Sequence, residues 1–185
     1  MNDSHQHNLA PSRFLVENLH LLPGGRVLDV AMGYGRNALF LARSGFEVEG
    51  VDIRPEAVAG TLEAARKAEV SLMARAADLE KGHYFIPREA YDVIICFNYL
   101  HRPLIPAIKQ GLRLGGMVVY ETFLVDQARF GRPRNPDHLL GHNELLLMFR
   151  DFRCLRYHEG VMGTGRAVAG IIAEKDDKGG NRSSK

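Results

Sequence analysis

Residues 27 to 42, VLDVAMGYGRNALFLA, constrain the fold more than any other stretch of this chain. Val27, Leu28 and Val30 begin a short strand, Ala31, Gly33 and Gly35 make a turn of small residues, and the apolar spacing beyond them is that of a helix. A strand that feeds a glycine turn and then a helix brings free backbone N–H groups and the positive helix end to one point. Such a point suits part of a nucleotide-like ligand. At Gly33 and Gly35 the missing Cβ permits positive φ and a close approach to the backbone. The same residues also suit a strand-to-helix turn that holds nothing, so the rest of the chain has to decide.

Further segments fall into alternation around this one. Pro11 to Leu22 reads as an amphipathic helix with Phe14, Leu15, Leu19 and Leu22 on one stripe, stopped by Pro23-Gly24-Gly25. Glu47 to Asp52 is a second strand, Pro55 to Ala68 a helix with proline in its first turn, and Ser71 to Ala77 a third strand. The run YDVIICF from Tyr91 is apolar enough for a central parallel strand buried on both faces. Pro103 to Leu114 follows as a helix, Gly115-Gly116 lead into the strand MVVYETF, and Asn143 to Phe149 is a short helix. Phe152 to Glu159 and Arg166 to Glu174 are strands joined through GVMGTG, a hairpin signal.

Strands alternating with helices imply an α/β, doubly wound sheet with right-handed crossovers. Ligands in such sheets sit outside the carboxyl ends of the strands, where the strand order reverses. Asp29 to Gly35, Asp52, Asp78 and Asn98 to His101 all converge on that crevice. One domain is expected over residues 11–174, with disordered polar tails at 1–10 and 175–185.

Composition narrows the partners. Lys plus Arg number 24 against 22 Asp plus Glu, which gives no strong field toward nucleic acid or an anionic membrane and favours a small-molecule acceptor. The first residues lack a basic start and apolar core, and no apolar run is long enough to span a bilayer, so a cytoplasmic location is expected. Cys96 and Cys154 stand alone in strand segments without CxxC spacing and are read as buried reduced thiols. His138 and His142, near Asp137 and Glu144, lack paired ligand spacing, and no metal is expected. The oligomeric state has no signature in the sequence.

Two cofactors compete for the crevice. Gly33-Tyr34-Gly35-Arg36-Asn37-Ala38 satisfies the dinucleotide pattern, with Asp52 placed to hold a ribose as in an NAD(P)-dependent oxidoreductase. Against this, the chain ends in a hairpin where a second mononucleotide half would stand. The other reading rests on Asp29-Val30-Ala31-Met32-Gly33-Tyr34-Gly35, then VDIRPEAV around Asp52, AADLE around Asp78, YDVIICFN and LRLGGMVVYETF, in that order. These motifs resemble class I S-adenosylmethionine-dependent methyltransferases, in particular the small bacterial tellurite-resistance and thiopurine methyltransferase-like enzymes. Ala31 stands where that family usually has its first glycine, and alanine serves there if φ stays negative.

The resemblance implies a Rossmann-like, seven-stranded, mostly parallel sheet ending in an antiparallel hairpin, over about residues 12–174. It implies S-adenosylmethionine as cofactor and S-adenosylhomocysteine as product. Asp29 would orient the amino group, the backbone from Ala31 through Gly33 to Gly35 would face the methionine and ribose, and Arg36 would pair with the carboxylate or merely lie on a helix face. Asp52 would accept from the ribose hydroxyls, Ile53 would cover the adenine, Asp78 would take its amino group, and the backbone beside Leu79 would read the ring edge. Ionised carboxylates suit these tasks as acceptor-only partners of hydroxyl and amine donors.

Methyl transfer from a sulfonium is an in-line displacement, and a base is needed only where the acceptor must lose a proton. Thiols and chalcogen oxyanions react without one. His101, just past the fourth strand, is the candidate base, although a histidine there also suits a cap. Asn98 and Tyr99 would line the methyl or hold the acceptor. Arg129, Arg132 and Arg134 in the irregular segment from Leu124 to Gly141 are candidate substrate ligands on a lid. A nucleic-acid methyltransferase and a catalytically silent cofactor-binding scaffold are the remaining alternatives.

Overall fold

A computed structural model describes residues 10–163 and 165–176 of the chain. The expected tails, apart from residues 10, 175 and 176, lie outside the described residues. Seven strands form one sheet: β1 (Arg26–Val30), β2 (Glu47–Asp52), β3 (Met73–Ala76), β4 (Tyr91–Phe97), β5 (Leu112–Phe123), β6 (Arg153–Met162) and β7 (Arg166–Glu174). Their order across the sheet is β3-β2-β1-β4-β5-β7-β6. The first five run parallel, while β7 returns antiparallel to β5 and β6 antiparallel to β7. The chain leaves β1 toward β2 on one side and comes back to β4 on the other, so the switch point lies between β1 and β4.

Alternating side chains of these strands feed two cores. Val27, Val93, Ile95, Val119 and Ile172 face α1 (Arg13–Glu17) and α2 (Arg36–Arg43), meeting Leu15, Ala38 and Leu41. On the other face Leu28, Val30, Ile94, Val118 and Ile171 meet Ile105 and Ile108 of α4 (Ile105–Gly111) and Leu145 of α5 (Glu144–Met148). Helix α3 (Pro55–Lys67) joins β2 to β3, with Pro55 and Glu56 in its first turn. Both faces of β1 and β4 are therefore covered, which is why β4, YDVIICF, reads as a largely apolar run.

Three expectations need correction. The helix expected over 11–22 is broken: α1 ends at Glu17, and one 3-10 turn follows at Leu19–Leu21. Asn18 turns its amide back to donate to the Phe14 carbonyl at 2.9 Å, a side-chain bond that competes with helix continuation. The helix expected to reach Leu114 stops at Gly111, and β5 begins at Leu112 opposite Tyr91. There Arg113 donates to both oxygens of Asp92 at 2.9 Å, and Asp92 also accepts from the Arg26 backbone N–H at 2.7 Å. Those partners lie too far along the chain for local periodicity to reveal. Cys96 is buried as expected, but Cys154 on β6 at the sheet edge is exposed.

Candidate active site

Beyond β1 the chain turns through Ala31 to Gly35 before α2 starts. Gly33 and Gly35 have φ of 60° and 68°, and Gly35 caps α2 in the left-handed region. A Cβ on Gly35 would stand 2.3 Å from Thr61 Cγ2, so a side chain has no room there. Ala31 also has positive φ, 55°, so the condition that φ stay negative for alanine is not met. The backbone takes a left-handed bend here, and alanine bears its steric cost.

The turn is tied to its neighbours. Met32 N–H donates to the Val51 carbonyl at 3.0 Å, and Gly33 N–H to Asp52 Oδ2 at 2.7 Å. Asp52 Oδ1 accepts from the Arg54 backbone N–H and Nε at 3.0 and 3.1 Å. Asn37, at the start of α2, accepts the Ser12 N–H at 2.8 Å and so fastens the segment before α1 to the site.

At the switch point a cavity of about 380 Å³ opens, lined among others by Asp29, Met32, Tyr34, Arg36, Asn98 and Arg166. Asp29 is buried, and among the described residues its Oδ2 has no hydrogen-bond partner. Burial pushes its carboxyl up to about 8, opposed by the Ala38 backbone N–H and Arg36 and reinforced by Asp52. Arg36 is held below the usual guanidinium range by burial and by the like charge of Arg166. Asn98 adopts φ 57° and accepts from Arg166 Nη2 at 2.8 Å.

The sequence-derived residues divide. Asp29, Ala31, Gly33, Arg36 and Asn98 line the cavity. Asp52 holds the turn, Ile53 is 60% exposed, and Leu79 packs into the core. Asp78 Oδ1 accepts from the Glu80 and Lys81 amides at 2.9 and 3.3 Å, which holds its carboxyl below the usual range. Tyr99, a candidate to line the methyl or hold the acceptor, and His101, the candidate base, follow β4. Both turn to Glu80, the Tyr99 hydroxyl at 3.2 Å and His101 Nδ1 at 4.0 Å, and neither lines the cavity. Arg129, Arg132 and Arg134 are exposed on the surface segment and also lie outside it, Arg129 facing Asp126 at 3.5 Å. Arg54, Tyr34 and Arg166 line the cavity without having been singled out. Arg54 was legible in principle, two residues past Asp52; Arg166 enters only because β7 runs antiparallel and starts at the ligand edge.

Residues 27–116 match a family described as a methyltransferase domain. The chain is 26% identical over 176 residues to a probable S-adenosyl-L-methionine-dependent methyltransferase, TehB, of Haemophilus influenzae, covering 91% of this chain and 57% of that protein. Residues 27–116 thus match a methyltransferase domain, and the chain is similar to S-adenosylmethionine-dependent methyltransferases. The crystal structure of TehB from Haemophilus influenzae superimposes with a TM-score of 0.74 at 23% identity, over 88% of this chain and 61% of that one. Another relative, named Hemagglutinin 1, from Eikenella corrodens, is 30% identical over 143 residues, which is 74% of this chain and 46% of that protein. The chain thus spans about half the length of the curated relatives it matches. The family's cofactor suits the cavity: an ammonium group would supply the donor that Asp29 Oδ2 lacks, and the Gly33–Gly35 bend keeps Cβ atoms out of its way.

Proposed function

We propose that this methyltransferase moves the sulfonium methyl of S-adenosylmethionine to a small-molecule acceptor by in-line displacement, releasing S-adenosylhomocysteine. The observation that carries the reading is Asp29, whose Oδ2 is buried without a partner at the cavity. A buried acceptor of this kind calls for a cationic donor from the ligand.

Bound there, the cofactor supplies an electrophilic methyl already activated by its positive sulfur. What the protein adds is alignment and exclusion of water, and alignment removes up to ~7–11 kcal/mol of barrier in favourable cases. Asp29 orients the amino group, and Arg36 meets the carboxylate. The backbone from Ala31 to Gly35 faces the methionine and ribose. Asp52 Oδ1 already accepts from the Arg54 N–H and Nε, so the lone pair that Gly33 leaves open on Oδ2 is the one that takes a ribose hydroxyl. Ile53, Asp78 and the Leu79 backbone take the adenine.

Near-balanced charge, 24 basic against 22 acidic residues, supports a small acceptor over nucleic acid. Among the described residues no helix is long and apolar enough to cross a membrane. A cytoplasmic location belongs to the same proposal. Thiols and chalcogen oxyanions head the acceptor screen because they need no base.

Calorimetric titration tests the reading. S-adenosylmethionine and S-adenosylhomocysteine are expected to bind, NAD(H) is not, and Asp29→Asn and Asp52→Ala are expected to weaken both sulfur ligands. Binding of NAD(H) alone would turn the chain into an oxidoreductase candidate. Tight donor binding without release of S-adenosylhomocysteine to any acceptor would leave a silent cofactor-binding protein.

A further inference from the structure

Arg36 and Arg166 form a wall with a cavity on each side. One is the donor cavity; the other, of about 600 Å³, lies between the start of α1 and the strands β5 to β7. Phe14, Met162 and Val168 give this second cavity apolar sides, while Glu121 and His158 supply its polar floor.

Glu121 belongs to β5 and His158 to β6, and these strands are not neighbours. Between them runs β7, where Gly170 is the register partner of both residues. His158 reaches over β7 to bring Nε2 within 3.3 Å of Glu121 Oε2. Only glycine allows this crossing, since a Cβ on residue 170 would stand 2.3 Å from His158 Cε1 and 2.9 Å from Nε2. A glycine within a strand is destabilising against alanine, so here its space has a use. The Phe14 ring meets the imidazole edge-on at 4.6 Å and fixes it from the α1 side.

The charged groups around the imidazole are few. Glu121 faces it from β5, Arg166 lies on β7, and Arg36 approaches from α2. Arg13 and Glu17 of α1 engage each other at 2.6 Å. The pair therefore sits beside two cations at the boundary with the donor cavity, whereas His101 faces Glu80 away from both cavities.

Resting on the methyl-transfer reading above, we infer that Glu121 and His158 are the proton-accepting pair for an acceptor bound in the second cavity. The chemistry of the lining selects a small, partly apolar acid. Its anion faces the Arg36/Arg166 wall, and its nucleophile is a hydroxyl or amine that must lose a proton. In the step, a lone pair of that oxygen or nitrogen forms the bond to the methyl carbon, and the carbon–sulfur bond breaks with its electrons left on sulfur. The acceptor's proton passes to the pair. Glu121 holds the imidazole in one orientation and balances the imidazolium charge.

Two matched probes test this: para-hydroxybenzoate, whose phenol keeps its proton near neutrality, and para-mercaptobenzoate, whose thiol ionises more readily. In protein loaded with S-adenosylhomocysteine, both acids are expected to shift the ring NMR signals of His158. Release of S-adenosylhomocysteine with the hydroxy acid is expected to fall at least about a hundredfold in His158→Gln, and with the mercapto acid by less than about threefold. Glu121→Gln should show the same split, and donor affinity measured by calorimetry should stay within about twofold in both variants. His158 signals unmoved by either acid, an equal fall with both acids, or hydroxy-acid turnover unchanged in His158→Gln would overturn the assignment. Failure of the wild-type protein to bind S-adenosylmethionine would instead defeat the methyl-transfer reading itself, and the first titration separates the two.

Discussion

Gly33 donates its backbone N–H to Asp52 Oδ2 across 2.7 Å, so the carboxylate that ends β2 also fixes the turn that ends β1. Its other oxygen accepts from the Arg54 amide and guanidinium. Removing the side chain therefore takes away the proposed ribose partner and loosens the turn at once. A hydrogen bond to a charged group contributes about 1.5–3 kcal/mol. Asp52→Ala is expected to lower donor affinity by about tenfold to a hundredfold and stability by roughly 1–3 kcal/mol, with Asp52→Asn retaining part of each. Calorimetry and urea unfolding measure the two. An unchanged donor affinity beside a lowered stability would confine Asp52 to a structural role.

Asp29 makes binding depend on pH. Its folded pKa of about 8 stands above the ordinary carboxylate value of 3.8, so the native state keeps a proton that the unfolded chain releases. The contribution to stability is whole below that ordinary value and declines as pH rises, with the loss complete above about 8. An ammonium group beside Oδ2 favours the ionised form. Binding of S-adenosylmethionine near neutrality is thus expected to expel a proton, seen as a dependence of the measured enthalpy on buffer ionisation. Asp29→Asn should remove both that dependence and the decline in stability. The same buffer dependence in the variant would assign the proton to another group.

What local sequence could show, and what it could not, follows from where each partner lies. Strands β1 and β4 were legible because parallel strands covered on both faces are largely apolar, and β2 was legible through the alternation of Glu47 to Asp52. The break at Asn18 and the early start of β5 were hidden: one depends on a side-chain bond to Phe14, the other on Arg113 meeting Asp92. In the same way the turn residues Asp29, Gly33 and Arg36 announce the cavity within a single stretch. Arg166 and the Glu121–Gly170–His158 row exist only through the register of β5, β7 and β6. The three arginines of the 124–141 segment attracted weight by composition, which carries no information on the direction a loop faces.

Ala31 and Gly35 give opposite outcomes at two left-handed positions of one turn. At Ala31, φ 55°, the left-handed bend costs an L-residue about 1–2 kcal/mol, and glycine relieves it at the expense of some unfolded-state entropy. Ala31→Gly is expected to stabilise the protein by up to about 1 kcal/mol and leave donor affinity unchanged or improved. Gly35→Ala meets both the φ of 68° and the collision with Thr61, so donor binding should be lost and the melting temperature lowered. A destabilised Ala31→Gly would mean that the methyl group packs usefully in this turn.

Arg102 clamps the surface segment onto the end of β4. Its Nε and Nη2 reach the two oxygens of Glu144 at 2.6 and 2.9 Å, and its guanidinium also donates to the carbonyls of Asp137 and Leu139 at 3.0 and 2.9 Å. Glu144 raises the pKa of Arg102, and Arg102 holds that of Glu144 below the usual range. The clamp is accordingly present above the ordinary carboxylate pKa and is lost as pH falls through the lowered value of Glu144. Lysine offers a point charge where the site uses a planar fork. Because Arg102 is 41% exposed at its side chain, solvent screening limits the expected loss in Arg102→Lys to about 1 kcal/mol. The larger effect should be local: amide hydrogen exchange across 124–141 is expected to quicken while the strands keep their protection. Unchanged exchange would mean that the Leu124–Leu140 bridge holds the segment without the clamp.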